Sequence, residues 1–234
     1  ALEDGALLFQ QVEKGAPGLL TTTRGTLGPK PFPKSKNASF DLVIMANVLN
    51  EIGDPRRGQS LRLRIVKNAL NLLSEDGALL IVEPGTRVHG RALQRLRDVL
   101  VRKKTHQILS PCPAVQACPL LKGKADWCHQ ELSWDRPKSC KRLEQQSGLE
   151  NHLLKCAHLL IGHTGQQEPA STGCIVGGVM RTPRGEKRYI CRRNGLFTLS
   201  AGKGALPKNV TRLLRGESLT QIPDNVTCTA SDRG

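Results

Sequence analysis

The sequence is poor in aromatic and acidic residues and has no long apolar run. Only 3% of its 234 residues are aromatic, so we expect a core built mainly from aliphatic side chains. No apolar run approaches the roughly 18 residues needed to span a bilayer, and no secretory signal is visible. Both absences argue against membrane attachment. The chain begins with Ala1 rather than methionine, from which we expect a processed or truncated product.

Several catalytic motifs are also missing. No serine is framed as a nucleophile elbow, and no cysteine has a recognisable Cys–His catalytic context. The phosphate-binding pattern GxxxxGK followed by Ser or Thr is absent as well. The sequence therefore argues against serine and cysteine hydrolases and against nucleotide binding through a phosphate-binding loop.

The charge of the chain is strongly unbalanced. It contains 35 Lys and Arg against 20 Asp and Glu, a formal net charge of +15 that is spread along the whole sequence. A dispersed basic surface gives sequence-independent affinity for phosphates. An anionic partner, RNA first of all, is therefore favoured over the alternative that the charge only maintains solubility.

Hydrophobic patterns predict an α/β unit over residues 40–110. FDLVIMANVL, from Phe40, is a continuous apolar run typical of a strand buried on both faces. It is followed by a near-helical pattern over 57–73, a turn at SEDG, a second buried strand ALLIVEP and a basic amphipathic helix RALQRLRDVLVRK. Strand, helix, strand and helix at this spacing predict a parallel sheet with right-handed crossovers.

The remaining segments differ in composition. Residues 1–39 are interpreted as an irregular linker remnant, and residues 111–150 as a Cys-rich insertion that something other than a core organises. Residues 151–202 are predicted to be the closing strands of the sheet, with a final hairpin that turns at Asn194–Gly195. Residues 203–234 form a basic tail that we expect to be loosely packed.

Three of the eight cysteines lie in PCPAVQACPLLKGKADWCH, residues 111–129. In a chain without an export signal, such a cluster is more typical of metal ligands than of disulfides. Structural zinc usually uses pairs of ligands two to four residues apart, so the wider gaps here slightly favour an iron–sulfur cluster. The candidates for a fourth ligand include Cys140, Cys156 and Cys174, and His129 is a candidate for a Cys₃His zinc site.

Polar residues also follow the two predicted strands. Asn47 and Asn50 come after the first strand, and Glu83 ends the second. Ligands of open α/β sheets bind beyond the carboxyl ends of the strands, so these residues are candidates for cofactor binding. The alternative, that they are cap and turn residues, stays open.

The order of motifs resembles a known family. FDLVIMANVLNEI followed by LSEDGALLIVEPG resembles the second half of the class I S-adenosylmethionine-dependent methyltransferase fold. The succession of EPGTRVHG, a basic helix and ILSPCPAVQACP…DWCH is similar to the methyltransferase-like assembly factors of the mitochondrial small ribosomal subunit and their bacterial homologues. The resemblance covers about residues 40–200.

The resemblance implies a Rossmann-like body that carries a 4Fe–4S cluster and binds small-subunit rRNA during ribosome maturation. It implies a location in the mitochondrial matrix, or in the cytoplasm for a bacterial protein. The family pattern places a cysteine just before a hairpin turn that contains glycine, which here is Cys191. The implied ligand set is Cys112, Cys118, Cys128 and Cys191.

Two departures from the family pattern affect these expectations. The glycine-rich loop that holds the methionine end of the cofactor is not present, so the fold is expected to lack its N-terminal cofactor half and S-adenosylmethionine binding is doubtful. In addition, Ala114 stands where the family commonly has a histidine.

Three hypotheses follow for the function. The preferred one is a ribosomal small-subunit assembly or translation factor, and the alternatives are an S-adenosylmethionine-dependent rRNA methyltransferase and a zinc-dependent nucleic-acid-binding domain. Eight basic residues of the two predicted helices are candidates for RNA contact: Arg62, Arg64, Lys67, Arg95, Arg97, Arg102, Lys103 and Lys104.

Overall fold

The computed structural model describes residues 39–54, 58–103, 106–112, 115–148, 152–163, 165 and 173–231. These residues form two β-sheets that follow each other along the chain. The elements of the first part are β1 (Phe40–Ala46), α1 (Gln59–Leu70), β2 (Leu73–Pro84), α2 (Arg87–Lys103), β3 (His106–Ser110), β4 (Gln130–Ser133), α3 (Lys138–Ser147) and β5 (Leu153–His163). Almost all of the linker remnant, residues 1–38, lies outside the described residues.

The first sheet has the order β1-β2-β5-β3, and β4 also pairs with β5. β1 and β2 are parallel and are connected through α1, as the alternating pattern predicts. β5 runs antiparallel to β2, β3 and β4, so the sheet is mixed rather than parallel throughout. β5 therefore lies in the centre of the sheet. β2 pairs with one edge of β5, and β3 and β4 pair with different parts of its other edge.

Two local expectations for this sheet are wrong. β1 is not buried on both faces, because Leu42 and Ile44 are 53% and 58% exposed while Met45 faces the core. A continuous apolar run does not reveal that one face of the strand is open. The SEDG segment does not turn the chain either, since it lies within β2, where the register against β1 shifts between Phe40 and Leu42.

The second sheet is antiparallel and has the order β10-β6-β8-β9-β11, with β7 paired to β8. Its elements are β6 (Gly173–Ile175), β7 (Met180–Thr182), β8 (Gly185–Arg192), β9 (Gly195–Ser200), α4 (Lys208–Thr211), β10 (Ser218–Leu219) and β11 (Thr227–Ala230). The interpretation of residues 151–202 as closing strands of one sheet is therefore wrong for its second half, because only β5 joins the first sheet. The predicted hairpin is present, and Arg192 pairs with Gly195, so residues 193 and 194 form its turn.

The tail is packed rather than loose. Leu206, Val210, Leu219 and Val226 are buried in a core that they share with the second sheet. The guanidinium of Arg188, on β8, holds this region by donating hydrogen bonds to the carbonyl oxygens of Gly177, Val210, Thr211 and Leu213. The basic composition of this segment was misleading because it did not reveal these four buried aliphatic side chains.

The main core lies where α1 and α2 pack against the first sheet. Ile65 and Val66 of α1, Leu79 and Ile81 of β2 and Ile161 of β5 are completely buried in it. The core is aliphatic, as the low aromatic content requires. Among the described residues, no helix is both long enough and apolar enough to cross a membrane.

Candidate metal centre

Five cysteines line one cavity at the junction of the two sheets. They are the four of the implied ligand set and Cys174: Cys112, Cys118, Cys128, Cys174 and Cys191. The other walls come from α2, β5 and the start of β4. The cavity has a volume of about 40 Å³, which is room for a few water molecules. Distant parts of the chain therefore bring their thiols to one place.

Arg91 of α2 anchors the loop that supplies three of these thiols. It donates hydrogen bonds to the carbonyl oxygens of Leu120 and Leu121, both at 3.2 Å, and of Asp126 at 2.6 Å. Leu120 lies in a short 3₁₀ turn that begins at Pro119, and its side chain is buried. A loop whose regular structure is limited to this short turn is thus tied to α2 through its carbonyl groups.

Trp127 fixes the loop next to Cys128. Its Nε1 donates a hydrogen bond to the carbonyl oxygen of Gly85 at 2.9 Å, and its ring stacks on His129 with 5.0 Å between centroids. Gly90 allows the close approach of the ring to α2, because a Cβ there would lie 2.9 Å from Cδ1 of Trp127. The guanidinium carbon of Arg215, in the turn before β10, lies 5.8 Å from the centre of the same ring.

Cys174 and Cys191 reach the cavity from neighbouring strands. They are directly opposite each other in the antiparallel pair of β6 and β8, and both are buried. The sequence singled out Cys174 only as one of several candidates for a fourth ligand. Strand pairing places Cys174 as a fifth thiol beside the implied four, and no local sequence pattern predicts that pairing.

Burial and mutual proximity disfavour ionisation of the thiols of Cys118, Cys128, Cys174 and Cys191. Burial raises the pKa of Cys128 strongly, and the neighbouring Cys174, Cys112 and Cys118 raise it further. Contact with the Cys112 side chain, followed by burial, raises the pKa of Cys191, and burial raises the pKa of Cys174 to about 12. Ionising one thiol makes it harder to ionise the next, so the cluster would hold several thiolates together only with a cation to offset them.

Arg97 is a buried cation that could offset the negative charge of the thiolates. Burial alone would lower the pKa of Arg97, but the neighbouring Cys112, Asp98 and Cys118 outweigh it and raise that pKa. His129 also lines the cavity, and burial lowers its pKa despite a contact of 3.3 Å between its Nε2 and Glu131. Its buried Nδ1 has no hydrogen-bond partner in the described part of the chain.

As their side chains stand, no group of three or more His, Cys, Asp or Glu residues within the described ranges could hold a metal ion. The other candidate ligands also lie elsewhere, Cys140 on α3 and Cys156 on β5. The metal and its ligand set therefore stay a prediction, and what the fold provides is the meeting of the thiols.

Of the polar residues at the strand ends, Glu83 and Asn50 have local side-chain partners. The Glu83 carboxylate accepts hydrogen bonds from the backbone N–H groups of Val48, Leu49 and Asn50 at 2.8 to 3.2 Å. The Asn50 side-chain amide donates to Glu51 at 2.7 Å, and Asn47 has a left-handed backbone with φ of 52°. These contacts favour a role in the turn over cofactor binding, whereas the expected cap is not formed, because α1 begins after Gly58 without a side-chain cap.

Two of the basic residues proposed for RNA contact are buried. Arg62 donates to the carbonyl oxygens of Leu49, Ile52 and Gly53, and Arg97 lines the cavity. Both lie on faces of α1 and α2 that pack inward, so their assignment to an RNA surface is wrong. Lys104 lies outside the described residues, and the remaining five are exposed: Arg64, Lys67, Arg95, Arg102 and Lys103.

Fold and site together define a mixed α/β protein with a cysteine-lined cavity where its first sheet meets a second, antiparallel one. The chain belongs to the family described as mitochondrial small ribosomal subunit Rsm22, whose model matches residues 30–187. The match includes Cys112, Cys118, Cys128 and Cys174 and ends four residues before Cys191. No curated protein was found to match the sequence.

Proposed function

We propose that this protein is an assembly factor of the mitochondrial small ribosomal subunit that acts in the matrix and binds rRNA. In this proposal a methyltransferase-like, Rossmann-type body carries a 4Fe–4S cluster on Cys112, Cys118, Cys128 and Cys191. The family description supports the connection with the small ribosomal subunit. The strand–helix–strand unit of β1, α1 and β2, with its parallel strands, supports the Rossmann-type body.

The convergence of five thiols on one cavity, the four proposed ligands among them, is the observation that supports the cluster. Iron–sulfur clusters are held by cysteine thiolates, and four is the usual number. Leu93, Leu159 and Val176 also line the cavity and make its surroundings apolar. When bound, the cluster supplies a covalent tie between the loop and the second sheet, together with one-electron redox chemistry. Because the cavity is small, we expect the thiol side chains to adjust on binding.

Metal analysis with a matched pair of variants tests the cluster. Cys191→Ser and Cys174→Ser alter cysteines that face each other on paired strands and are both buried. After anaerobic purification, we expect the wild type and Cys174→Ser to contain iron and acid-labile sulfide, with visible absorption that dithionite bleaches. We expect Cys191→Ser to lose both.

Each other outcome is informative. Iron lost from Cys174→Ser but kept in Cys191→Ser would make Cys174 the fourth ligand. A colourless wild type with stoichiometric zinc would replace the cluster by a zinc site, and a wild type with neither metal would refute the centre.

The RNA-binding surface is proposed to include the exposed basic residues of α1 and α2. Lys67 and Lys103 are in contact, and this contact between two ammonium groups lowers the pKa of Lys67. A surface that concentrates like charges in this way gains by binding phosphates, which offset the repulsion. Lys141 on α3, by contrast, lies 3.9 Å from Asp135 and has its charge partly offset.

Salt-dependent binding to small-subunit rRNA tests this surface. Each lost phosphate contact should reduce the slope of log K against log salt concentration by about 0.7 to 0.9. We expect Lys67→Ala with Lys103→Ala to weaken binding and flatten the slope, and Lys141→Ala to leave it unchanged. Equal slopes for all three proteins would remove α1 and α2 from the RNA surface.

A further inference from the structure

Helix α2 holds both the backbone and the sulfur of Cys118. Gln94, Arg97 and Asp98 share one face of the helix because they are three and four residues apart. Nε2 of Gln94 donates a hydrogen bond to Sγ of Cys118 at 3.0 Å. Both carboxylate oxygens of Asp98 accept from the backbone N–H of Cys118, at 2.9 and 3.1 Å. Arg97 contacts Asp98 at 2.8 Å and donates to the carbonyl oxygen of Gln116.

Much of this polar face is deeply buried, which costs free energy unless its polar groups form hydrogen bonds. Gln94 is 6% exposed and Arg97 is 1% exposed. Leu93 and Leu96, on the same helix, show that apolar side chains also occupy its buried positions. Oε1 of Gln94 is buried without a hydrogen-bond partner among the described residues, so the amide forgoes one bond while its Nε2 reaches the sulfur.

A donated N–H···S bond favours a sulfur that carries negative charge. Hydrogen bonding to the charged form of a group stabilises that form, whereas a neutral thiol gains little as an acceptor. The reduction potential of an iron–sulfur cluster depends on net charge, on hydrogen bonds to its sulfurs and on solvent exposure. Gln94 and the nearby Arg97 supply the first two of these influences from one helix.

We propose that Gln94 is a positioning residue that fixes the Cys118 sulfur and, through its N–H···S bond, stabilises the reduced state of the centre. This inference rests on the iron–sulfur cluster of the proposed function. Arg97 acts beside it as a buried positive charge that offsets the added electron. Through Gln94 and Arg97, α2 thus affects the reduction potential of the centre as well as the position of its ligand.

Redox titration of Gln94→Leu tests the tuning. The variant removes the donor and keeps an apolar side chain of comparable size. We expect it to retain iron and sulfide and to shift the reduction equilibrium about tenfold toward the oxidised cluster, which is 59 mV for a one-electron couple. Gln94→Glu, which places an acceptor against the sulfur, should shift it further. Gln146→Leu, on the exposed helix α3, is the control and should match the wild type.

An unchanged potential in an iron-loaded Gln94→Leu protein would overturn the tuning role. If Gln94→Leu does not fold, Gln94→Met, which is closer in shape, takes its place in the same titration. A wild type that binds no iron would refute the iron–sulfur centre of the proposed function and, with it, the tuning role. The positioning role is then decided in the metal-free protein by amide hydrogen exchange of residues 115–121. Faster exchange in Gln94→Leu than in Gln146→Leu supports it, and equal exchange overturns it.

Discussion

Glu83 provides a direct test of whether the strand ends bind a ligand or hold the fold together. The residue is 3% exposed, and its carboxylate accepts hydrogen bonds from three backbone N–H groups of the turn after β1. Oε1 takes the groups of Val48 and Leu49, and Oε2 takes that of Asn50. If this is its role, Glu83→Gln should destabilise the protein.

The size of the effect follows from these contacts. Glutamine keeps one acceptor oxygen, so its amide N–H₂ would face the N–H of Asn50 and leave a buried donor unsatisfied, at a cost of about 1 to 3 kcal/mol. The change also removes a negative charge near the buried Arg62 guanidinium. In the opposite direction, burial raises the pKa of Glu83, so the neutral side chain avoids part of a desolvation cost. We expect a net loss of about 2 kcal/mol, the middle of that range.

Thermal unfolding measures this loss. For a domain of this size, 1 kcal/mol corresponds to about 2 to 4 °C, so Tm should fall by about 4 to 8 °C. Glu51→Gln is the control, because it makes the same chemical change at an exposed neighbouring position and should stay within about 0.5 kcal/mol. A Tm for Glu83→Gln at or above that of the wild type would refute the structural role, since binding-site residues are often replaced without loss of stability.

Two further predictions concern other buried polar groups. Arg188→Met should lower the free energy of unfolding by more than about 3 kcal/mol, because it leaves several buried carbonyl groups unpaired. Limited proteolysis should then cut this variant within residues 203–231. The control Arg184→Met, which changes an exposed turn residue, should resist that cleavage. Burial lowers the pKa of His158, and burial together with His163 lowers the pKa of His106, so these two histidines bind protons more readily in the unfolded chain than in the folded one. Stability should therefore fall as the pH drops through the unfolded value of about 6.5. A urea midpoint that is constant or higher at acidic pH would contradict this, and His158→Asn should weaken the dependence.

The features that could be predicted from the sequence are local ones. The β8–β9 hairpin depends on residues within a few positions of its turn, where Gly195 has φ of 133°, a conformation that other residues rarely adopt. β5 and α2 likewise follow from short apolar patterns. Cys112, Cys118 and Cys128 were singled out by their spacing in one loop, and the fold brings all three to one cavity.

The features that escaped prediction depend on contacts between distant residues. The place of Cys174 opposite Cys191 is set by the pairing of β6 with β8, and the packing of the tail is set by Arg188. Arg62 and Arg97 are buried although the sequence predicts them at the surface. That prediction assumes that every arginine is exposed to solvent. A guanidinium can instead be buried where carbonyl groups converge on its five N–H donors, a condition that only the folded chain reveals.

The location of the cysteines gives the proposed cluster a mechanical role as well as a chemical one. Three of its thiols belong to a loop that is anchored on the first sheet's helix through Arg91, and the fourth belongs to the second sheet. Contacts between the loop and the second half of the chain include Arg215 above Trp127, and the backbone N–H of Val115 donating to the carbonyl of Arg193 at 3.2 Å. Metal binding to such a site adds its free energy to folding. Loss of the cluster should therefore loosen the junction before it unfolds either sheet. Within the described ranges, the core around Val210 shares no residue with the cavity, and most of the aliphatic core around Ile65 and Ile161, against which Cys112 packs, is formed by other residues. An oxidant that destroys the cluster would then disable the protein at this junction while leaving most of its secondary structure in place.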